Sequence, residues 1–153
     1  MSQPSLSGVC ACGVCTFTST SSPSHLDFCY CVTCQRCSGA PFMAWTGIPK
    51  SSLTWQGPIS EFKASSLATR SFCPKCGSSL ALQYECYPDK AHVAVTTVQR
   101  SDWGLPTVGT HIFVKSKPAW YQIPADGLER WQEFDAEFEK KFPDVVKELS
   151  TDP

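Results

Sequence analysis

Apolar residues occur in short runs through most of the chain, and glycine, proline and serine residues separate these runs. Short runs of this kind, rich in β-branched and aromatic residues, predict the strands of a small antiparallel β fold. The predicted strands cover residues 14–18, 25–28, 42–48, 53–55, 59–62, 80–84, 92–98, 110–114 and 120–123.

A helical pattern appears near the C-terminus. Five apolar residues are spaced there by three and four positions: Leu128, Trp131, Phe134, Phe138 and Phe142. This spacing places them on one face of a helix. We predict a helix over residues 128–142 that ends at Pro143 and packs on the sheet, with a homodimer contact as the alternative. A single helical turn is predicted at residues 35–38, because Gly39 follows it as a stop signal.

Length and charge restrict the class of protein. A chain of 153 residues with 42% hydrophobic residues suits one globular domain. The formal net charge of -1 provides no basic field for nucleic acid or an anionic membrane. No apolar run approaches the roughly 20 residues of a membrane span, and the first residues show no signal-peptide pattern. We therefore expect a soluble cytoplasmic protein that binds neither nucleic acid nor membranes.

Ten cysteines change this picture. In a small secreted protein they would predict disulfides, whereas in a reducing compartment the same density predicts metal ligation. The cysteines occur in C-x-C and C-x2-C pairs, which suit a tetrahedral zinc ion better than mutual disulfides. We therefore predict zinc.

Two cysteine pairs carry the signature of zinc knuckles. Cys10 and Cys12 are followed by Gly13, and Cys73 and Cys76 are followed by Gly77. Glycine after the second sulfur favours a turn, because it tolerates a positive φ angle. These four cysteines predict one structural site closed by four thiolates, which would stabilise the fold because metal binding becomes folding free energy.

Cys15 complicates this assignment, since Cys10, Cys12 and Cys15 repeat the C-x-C-x2-C spacing found further along the chain. Cys15 falls inside the predicted strand over residues 14–18 rather than in a turn. We interpret it as a small buried hydrophobic residue.

The second metal site is predicted at Cys29, Cys31 and Cys34. Three protein ligands leave one zinc position open, which is the catalytic arrangement. A trithiolate zinc is about one unit negative, so it suits binding an incoming thiol as thiolate better than making hydroxide. Cys37 and His111 remain alternatives as a fourth ligand that would close this site.

The sequence lacks the motifs of two other classes of zinc enzyme. Nucleobase deaminases need a glutamate two residues from a zinc ligand, and none accompanies Cys29 or Cys31. Zinc peptidases of the H-E-x2-H type lack their motif here as well.

These motifs together resemble the glutathione-dependent formaldehyde-activating enzyme family, also called the centromere protein V-like family. The matching segments, in family order, are residues 10–13, 29–34, 38–42, 72–77, 111–114 and 126–128. The resemblance implies a mainly β, Mss4-like fold with two zinc ions per chain: a structural ion on Cys10, Cys12, Cys73 and Cys76, and a catalytic ion on Cys29, Cys31 and Cys34. It also implies a carbon–sulfur lyase similar to S-(hydroxymethyl)glutathione synthase, with glutathione as thiol co-substrate.

The resemblance divides the chain into three parts. Residues 1–5 are predicted to be a disordered N-terminus, residues 6–128 the zinc domain, and residues 129–153 a C-terminal helical extension. One position departs from the family, whose members often carry histidine where this chain has Tyr30. A phenol and an imidazole differ as proton donors near neutral pH, so we expect this departure to alter the substrate or the rate.

Two functional hypotheses follow. The first is a zinc enzyme that activates glutathione for addition to, or release from, formaldehyde or another small electrophile. Because glutathione is anionic, Arg36, Arg70 and Lys75 are its candidate contacts. The second is a non-enzymatic zinc module that binds a protein partner, which would require a saturated second zinc. Cys86 has no partner in the sequence pattern and no role in either hypothesis.

Overall fold

The computed structural model describes residue 3 and residues 5–151. Twelve strands in this part of the chain form two sheets. The strands are β1 (Leu6–Val9), β2 (Thr16–Ser19), β3 (Leu26–Cys29), β4 (Met43–Pro49), β5 (Leu53–Gln56), β6 (Ser60–Lys63), β7 (Ala68–Phe72), β8 (Ser79–Tyr84), β9 (Lys90–Ala94), β10 (Val98–Ser101), β11 (Thr110–Ile112) and β12 (Glu129–Arg130). The helices are α1 (Val32–Ser38), α2 (Ala136–Lys141) and α3 (Pro143–Thr151). The mainly β prediction is confirmed.

The sheets differ in size and share the chain unevenly. The four-stranded sheet has the order β10-β1-β2-β5, and the eight-stranded sheet the order β12-β11-β3-β4-β9-β8-β7-β6. Pairing is antiparallel except at one edge, where β11 runs parallel to both β3 and β12. The larger sheet therefore brings β3, which ends at Cys29, next to β4 and close to β9 and β8.

The buried core consists of three clusters, two of which contain cysteines. The first surrounds the triplet and includes Cys29, Cys34, Met43, Trp45, Ala68, Leu82 and Ala94. The second joins the two sheets through Leu6, Phe17, Ile48 and Val93. The third contains Cys10, Cys15, Cys73 and Leu80. Both predicted metal sites are thus rooted in the core.

The C-terminal segment folds differently from the helix predicted over residues 128–142. The main chain of residues 129–133 instead pairs with β11 and the turn after it: Trp131 donates to His111 O (2.8 Å), and Phe113 donates to Glu133 O (2.9 Å). These main-chain hydrogen bonds outweigh the helical periodicity. The first helix of this segment, α2, begins only at Ala136. Asp135 caps this helix, and its side chain accepts a hydrogen bond from Phe138 N at 2.9 Å. Pro143 begins α3 rather than ending the helical region.

The apolar stripe nevertheless packs within the chain. Phe134 is buried and contacts Tyr84 and Phe113, with ring centroids 6.0 and 4.8 Å apart. Phe138 stacks on Phe134 at 4.1 Å. Packing of the stripe on the sheet, predicted from its spacing, is confirmed.

Two predicted strands are wrong in whole or part. The run over residues 92–98 is broken by a 3-10 turn at Val95–Thr97, where the chain leaves the large sheet as β9 and enters the small one as β10. The run over residues 120–123 is irregular. Pro118 and Pro124 flank it, and Tyr121 N donates to Pro118 O at 3.1 Å, which closes a turn.

The structure bears on the predicted disordered N-terminus and on the expected lack of a membrane span. Residues 1, 2 and 4 of the predicted disordered N-terminus lie outside the described residues, while Ser5 N donates to Asp102 Oδ2 at 2.9 Å. Among the described helices, none has both the length and the apolar character needed to cross a membrane.

Candidate functional site

The four knuckle cysteines converge on one point. The sulfur atoms of Cys10, Cys12, Cys73 and Cys76 all lie within 4.8 Å of one another. The Cys10–Cys12 and Cys12–Cys73 sulfur pairs are 3.6 and 3.8 Å apart. Tetrahedral zinc with Zn–S bonds of about 2.3 Å places its sulfurs roughly 3.8 Å apart. The donor set and its spacing therefore fit a zinc ion closed by four thiolates.

Glycine makes both knuckle turns feasible, as the sequence predicts. Gly13 and Gly77 have φ angles of 81° and 78°, in the left-handed region. Gly77 N donates to Cys73 O at 2.8 Å, and Gly13 N donates to Cys10 O at 3.0 Å. Ala11 N donates to Ser78 Oγ at 3.0 Å, which ties the N-terminal knuckle to the one between β7 and β8.

Cys15 is buried and stays outside the four-cysteine group. Its main-chain N donates to the Cys10 sulfur at 3.2 Å, so it supports a ligand instead of acting as one. Burial raises the pKa of the Cys15 thiol to about 12. The interpretation as a buried hydrophobic residue is confirmed, although Cys15 lies in the bend before β2 and not in the strand.

The second group forms where β3 meets α1. Cys29 is the last residue of β3, Cys31 is the N-cap of α1, and Cys34 lies in the first turn of that helix. The Cys31 sulfur accepts from Cys34 N at 3.3 Å, as N-cap side chains do. The three sulfur atoms lie within 4.8 Å of one another, and Cys29 and Cys34 are buried. Three soft ligands in this arrangement fit a zinc ion with one open position.

Neither alternative for a fourth ligand belongs to this group in the part of the chain that the structure describes. Cys37 packs against the core cluster around the triplet but is not part of the group of sulfur atoms, among the residues described. His111 is fully buried, with Nδ1 3.0 Å from the Tyr30 hydroxyl and Nε2 2.9 Å from Asp126 Oδ2. With both ring nitrogens engaged, His111 connects β11 to Tyr30 and Asp126.

Two donors from the sheet converge on the Cys34 sulfur. Arg70 Nη2 lies 3.1 Å from it, and Trp45 Nε1 lies 3.4 Å from it. Arg70 is only 5% exposed. A guanidinium is almost never buried to this extent unless it is paired with an opposite charge. Its inward position follows from β7, where Ala68 and Arg70 share the buried face. The buried cation would balance the single negative charge of a zinc ion held by three thiolates.

The three thiols of the triplet differ in the direction of their pKa shifts. Hydrogen bonds from Cys29 and Cys31, and then the Arg70 cation, hold the pKa of Cys34 well below its usual range. Hydrogen bonding within the triplet and burial raise the pKa of Cys29 well above its usual range. For Cys31, a hydrogen bond with Cys29 lowers the pKa, but Cys34 and burial raise it to about 11 overall.

A cavity of about 160 Å³ opens at Cys31 and Arg70, and we call it the Arg70 cavity. Its wall includes Ser65, Tyr84 and Lys115, besides the first two residues of α1. Lys115 pairs with Glu133, which also lines the cavity. No local motif marks Lys115 or the contact of Trp45 with Cys34, so neither was predicted from the sequence.

The three predicted glutathione contacts have different positions. Arg70 lines the Arg70 cavity. Arg36 is exposed on α1, one turn beyond Val32, which lines the same cavity. Lys75 is exposed in the knuckle of the four-cysteine group and does not line this cavity. Cys86 lies in neither sulfur group within the described part of the chain.

Replacing Arg70 by methionine removes the buried cation and keeps a side chain of similar length. We expect the zinc affinity of the triplet to fall about 10–100-fold, as for other residues that support a metal ligand. Competition with a chromogenic chelator measures this affinity. Lysine at position 70 restores the charge and should recover part of it, whereas equal affinities in all three proteins would contradict the charge-balancing role.

Comparison with known proteins agrees with this geometry. The model of the glutathione-dependent formaldehyde-activating enzyme family matches residues 5–116, which contain all seven cysteines of the two groups and Arg70. A Schizosaccharomyces pombe protein described as an uncharacterized lyase is 31% identical over 82 residues, which span 54% of this chain and 60% of that protein. A crystal structure of a Rhodobacter sphaeroides protein, 18% identical, superimposes with a TM-score of 0.50 over 65% of this chain and 97% of the other, and so supports the fold. The chain belongs to the glutathione-dependent formaldehyde-activating enzyme family.

Proposed function

We propose that the protein catalyses the reversible addition of glutathione to formaldehyde or another small electrophile, as a carbon–sulfur lyase. The observation that carries this proposal is the incomplete ligand set of the triplet. Three cysteines face one point. Both ring nitrogens of His111 are engaged by Tyr30 and Asp126, and Cys37 packs against the surrounding core cluster without joining the group of sulfur atoms, among the residues described. An open position is what a visiting thiol requires.

The proposed reaction needs a thiolate at neutral pH, and a zinc ion held by Cys29, Cys31 and Cys34 would supply it by lowering the pKa of a bound thiol. The glutathione sulfur forms a bond with the carbonyl carbon, and the carbonyl π electrons move to oxygen. That oxygen takes up a proton and the thiol loses one, so formaldehyde yields S-(hydroxymethyl)glutathione. The reverse reaction breaks the same carbon–sulfur bond, which is lyase chemistry.

Glutathione is anionic, and the Arg70 cavity offers cations to it. Arg70 and Lys115 line this cavity, and Arg36 lies one helical turn above its rim. We propose Arg70 and Arg36 as contacts of the glutathione carboxylates, with Arg70 also balancing the charge on Cys34. Lys75, on the knuckle of the other group, remains a contact only for a thiol that reaches beyond the cavity. A reducing compartment such as the cytoplasm would keep all ten cysteines free, as they are here.

The test is to follow the approach to equilibrium of glutathione and formaldehyde with zinc-loaded protein. We expect a rate well above the uncatalysed one and a new sulfur scatterer at the zinc edge in X-ray absorption when glutathione is added. S-methylglutathione is the matched control, because it lacks the thiol and should add no scatterer. An unchanged rate with no new scatterer would instead favour the non-enzymatic zinc module, whose second zinc is saturated by protein ligands.

A further inference from the structure

A second and larger cavity, of about 430 Å³, borders the triplet at Cys29. It lies between the large sheet and the segment from Glu129 to Phe138, and we call it the aromatic cavity. It shares Leu82, Tyr84 and Phe134 with the Arg70 cavity. Because the sulfurs of Cys29 and Cys31 lie within 4.8 Å of each other, both cavities border the same candidate metal site.

Ring-bearing side chains form a large part of the wall of the aromatic cavity. Six aromatic side chains line it: Trp45, Tyr84, Tyr87, Trp131, Phe134 and Phe138. His25 and His92 add two imidazoles, whose centroids are 5.6 Å apart. Walls of this kind bind an apolar or aromatic body, and the volume lies within the range of small-molecule sites. Formaldehyde would occupy only a small part of it.

Two buried polar atoms of this wall have no hydrogen-bond partner within the described residues: His92 Nδ1 and Trp131 Nε1. Burial lowers the pKa of His92 to about 3, so the ring is neutral. In the tautomer that carries its proton on Nε2, the free Nδ1 is an acceptor, whereas the indole N–H of Trp131 is a donor. Buried polar groups are normally paired, so a ligand with one donor and one acceptor would complete this wall.

The charge around the aromatic cavity selects against anions. Four carboxylates line it, against the single lysine Lys90: Asp27, Glu129, Asp135 and Glu137. Asp27 accepts from Thr110 Oγ1 at 2.9 Å, and Asp135 caps α2, so both carboxylates are held in place. Glutathione, roughly one unit negative, suits the Arg70 cavity rather than this one.

We propose that the aromatic cavity binds the electrophile of the reaction, and that this electrophile is an uncharged aromatic carbonyl compound carrying a hydroxyl group. The inference rests on the proposed thiol addition. The thiol sulfur, reaching the triplet from the Arg70 cavity, bonds to the carbonyl carbon, the carbonyl oxygen gains a proton and the thiol loses one. The product is a hemithioacetal. The hydroxyl group donates to His92 Nδ1 and accepts from Trp131 Nε1.

Binding is tested first without any thiol, so that its outcome does not depend on the proposed reaction. Zinc-loaded protein with nitrogen-15 tryptophan is titrated with para-(hydroxymethyl)benzaldehyde, and the indole signal of Trp131 is assigned by its loss in Trp131→Phe. We expect a saturable shift of this signal. The anionic analogue, para-(hydroxymethyl)benzoate, should bind at least tenfold more weakly than the aldehyde.

Variants separate the cavity from other surfaces. Trp131→Phe keeps the ring and removes the donor, so the aldehyde should bind about threefold to tenfold more weakly. Trp120→Phe is the matched control, because Trp120 is 75% exposed and outside this cavity. No shift at Trp131, equal binding of aldehyde and benzoate, or unchanged affinity in Trp131→Phe would overturn the proposal.

The electrophile role is then tested with glutathione present. We expect faster hemithioacetal formation than in buffer, with a raised KM for the aldehyde and an unchanged kcat in Trp131→Phe. If formaldehyde reacts but the bound aldehyde does not, the proposed function stands and this inference falls. If the aldehyde binds at Trp131 and neither carbonyl compound reacts, the proposed function falls, and with it the electrophile role.

Discussion

Cys31→Ser is expected to reduce the zinc content from two ions per chain to one and to bring thiol addition down to the uncatalysed rate. The loss should exceed the roughly 10–100-fold effect of residues that only support a ligand. Serine removes the soft sulfur ligand, but its hydroxyl can still accept from Cys34 N as the N-cap of α1. The fold should therefore survive, and the substitution reports on the metal alone.

This choice of position matters, because the other triplet residues are more deeply built into the core. Cys34 is fully buried and accepts from Arg70, so its removal would leave a buried cation unpaired and destabilise the protein as well. Cys37→Ser is the matched control on the same helix, outside the sulfur group, and should keep both zinc ions and full activity. Metal analysis measures the zinc content, circular dichroism the fold, and the glutathione assay the activity. Full activity in Cys31→Ser with one zinc lost would contradict the assignment of the active site.

Cys73→Ser is expected to prevent stable folding. Cys73 is fully buried beside Leu80 and Cys10, and its sulfur lies 3.8 Å from that of Cys12, a residue 61 positions earlier. Structural zinc contributes about 10–16 kcal/mol to the folding of zinc-finger peptides, which equals or exceeds the roughly 5–15 kcal/mol stability of a typical domain. Losing the tie between β1 and the β7–β8 turn should therefore lower the melting temperature by tens of degrees or abolish the folding transition.

Thermal unfolding followed by circular dichroism, with a zinc count on the same samples, checks this expectation. Cys86→Ser is the control, since Cys86 is half-buried and lies in neither sulfur group among the described residues. It should unfold within a few degrees of the wild type. A strong chelator should destabilise the wild type as Cys73→Ser does. A cooperative transition at the wild-type temperature in Cys73→Ser would show that the four-cysteine site does not support the fold.

The predicted strands and helices succeeded where their signals are local and failed where distant pairing prevailed. Gly39 ends α1 in the left-handed conformation, with a φ angle of 65°, as a stop signal should. Residues 129–133 carry a helical apolar spacing, yet β11 recruits their main chain as an added strand and turn. Strand β7 was not predicted at all, which is why the inward position of Arg70 was missed. The first error concerns an open edge of the sheet beside β11, whereas β7 is an interior strand that pairs with β6 and β8.

The ligand groups show the same division. Spacing and glycine turns suffice to join Cys10 with Cys12 and Cys73 with Cys76, because each knuckle is a local turn. Which candidate fourth ligands stay outside the triplet is visible only in the tertiary structure. Only there is His111 seen to be engaged by Tyr30 and Asp126 instead of reaching the sulfurs.

The sequence alone determined the cysteine motifs of the two sulfur groups, the mainly β architecture and the family, because these depend on residue type and on spacings of a few positions. The tertiary structure alone decided that Arg70 faces Cys34, 36 positions away, and that residues from His25 to Phe138 enclose one aromatic cavity beside Cys29. Such contacts depend on strand order and register. These bring together residues that are far apart in the chain, and no local pattern encodes which strands become neighbours.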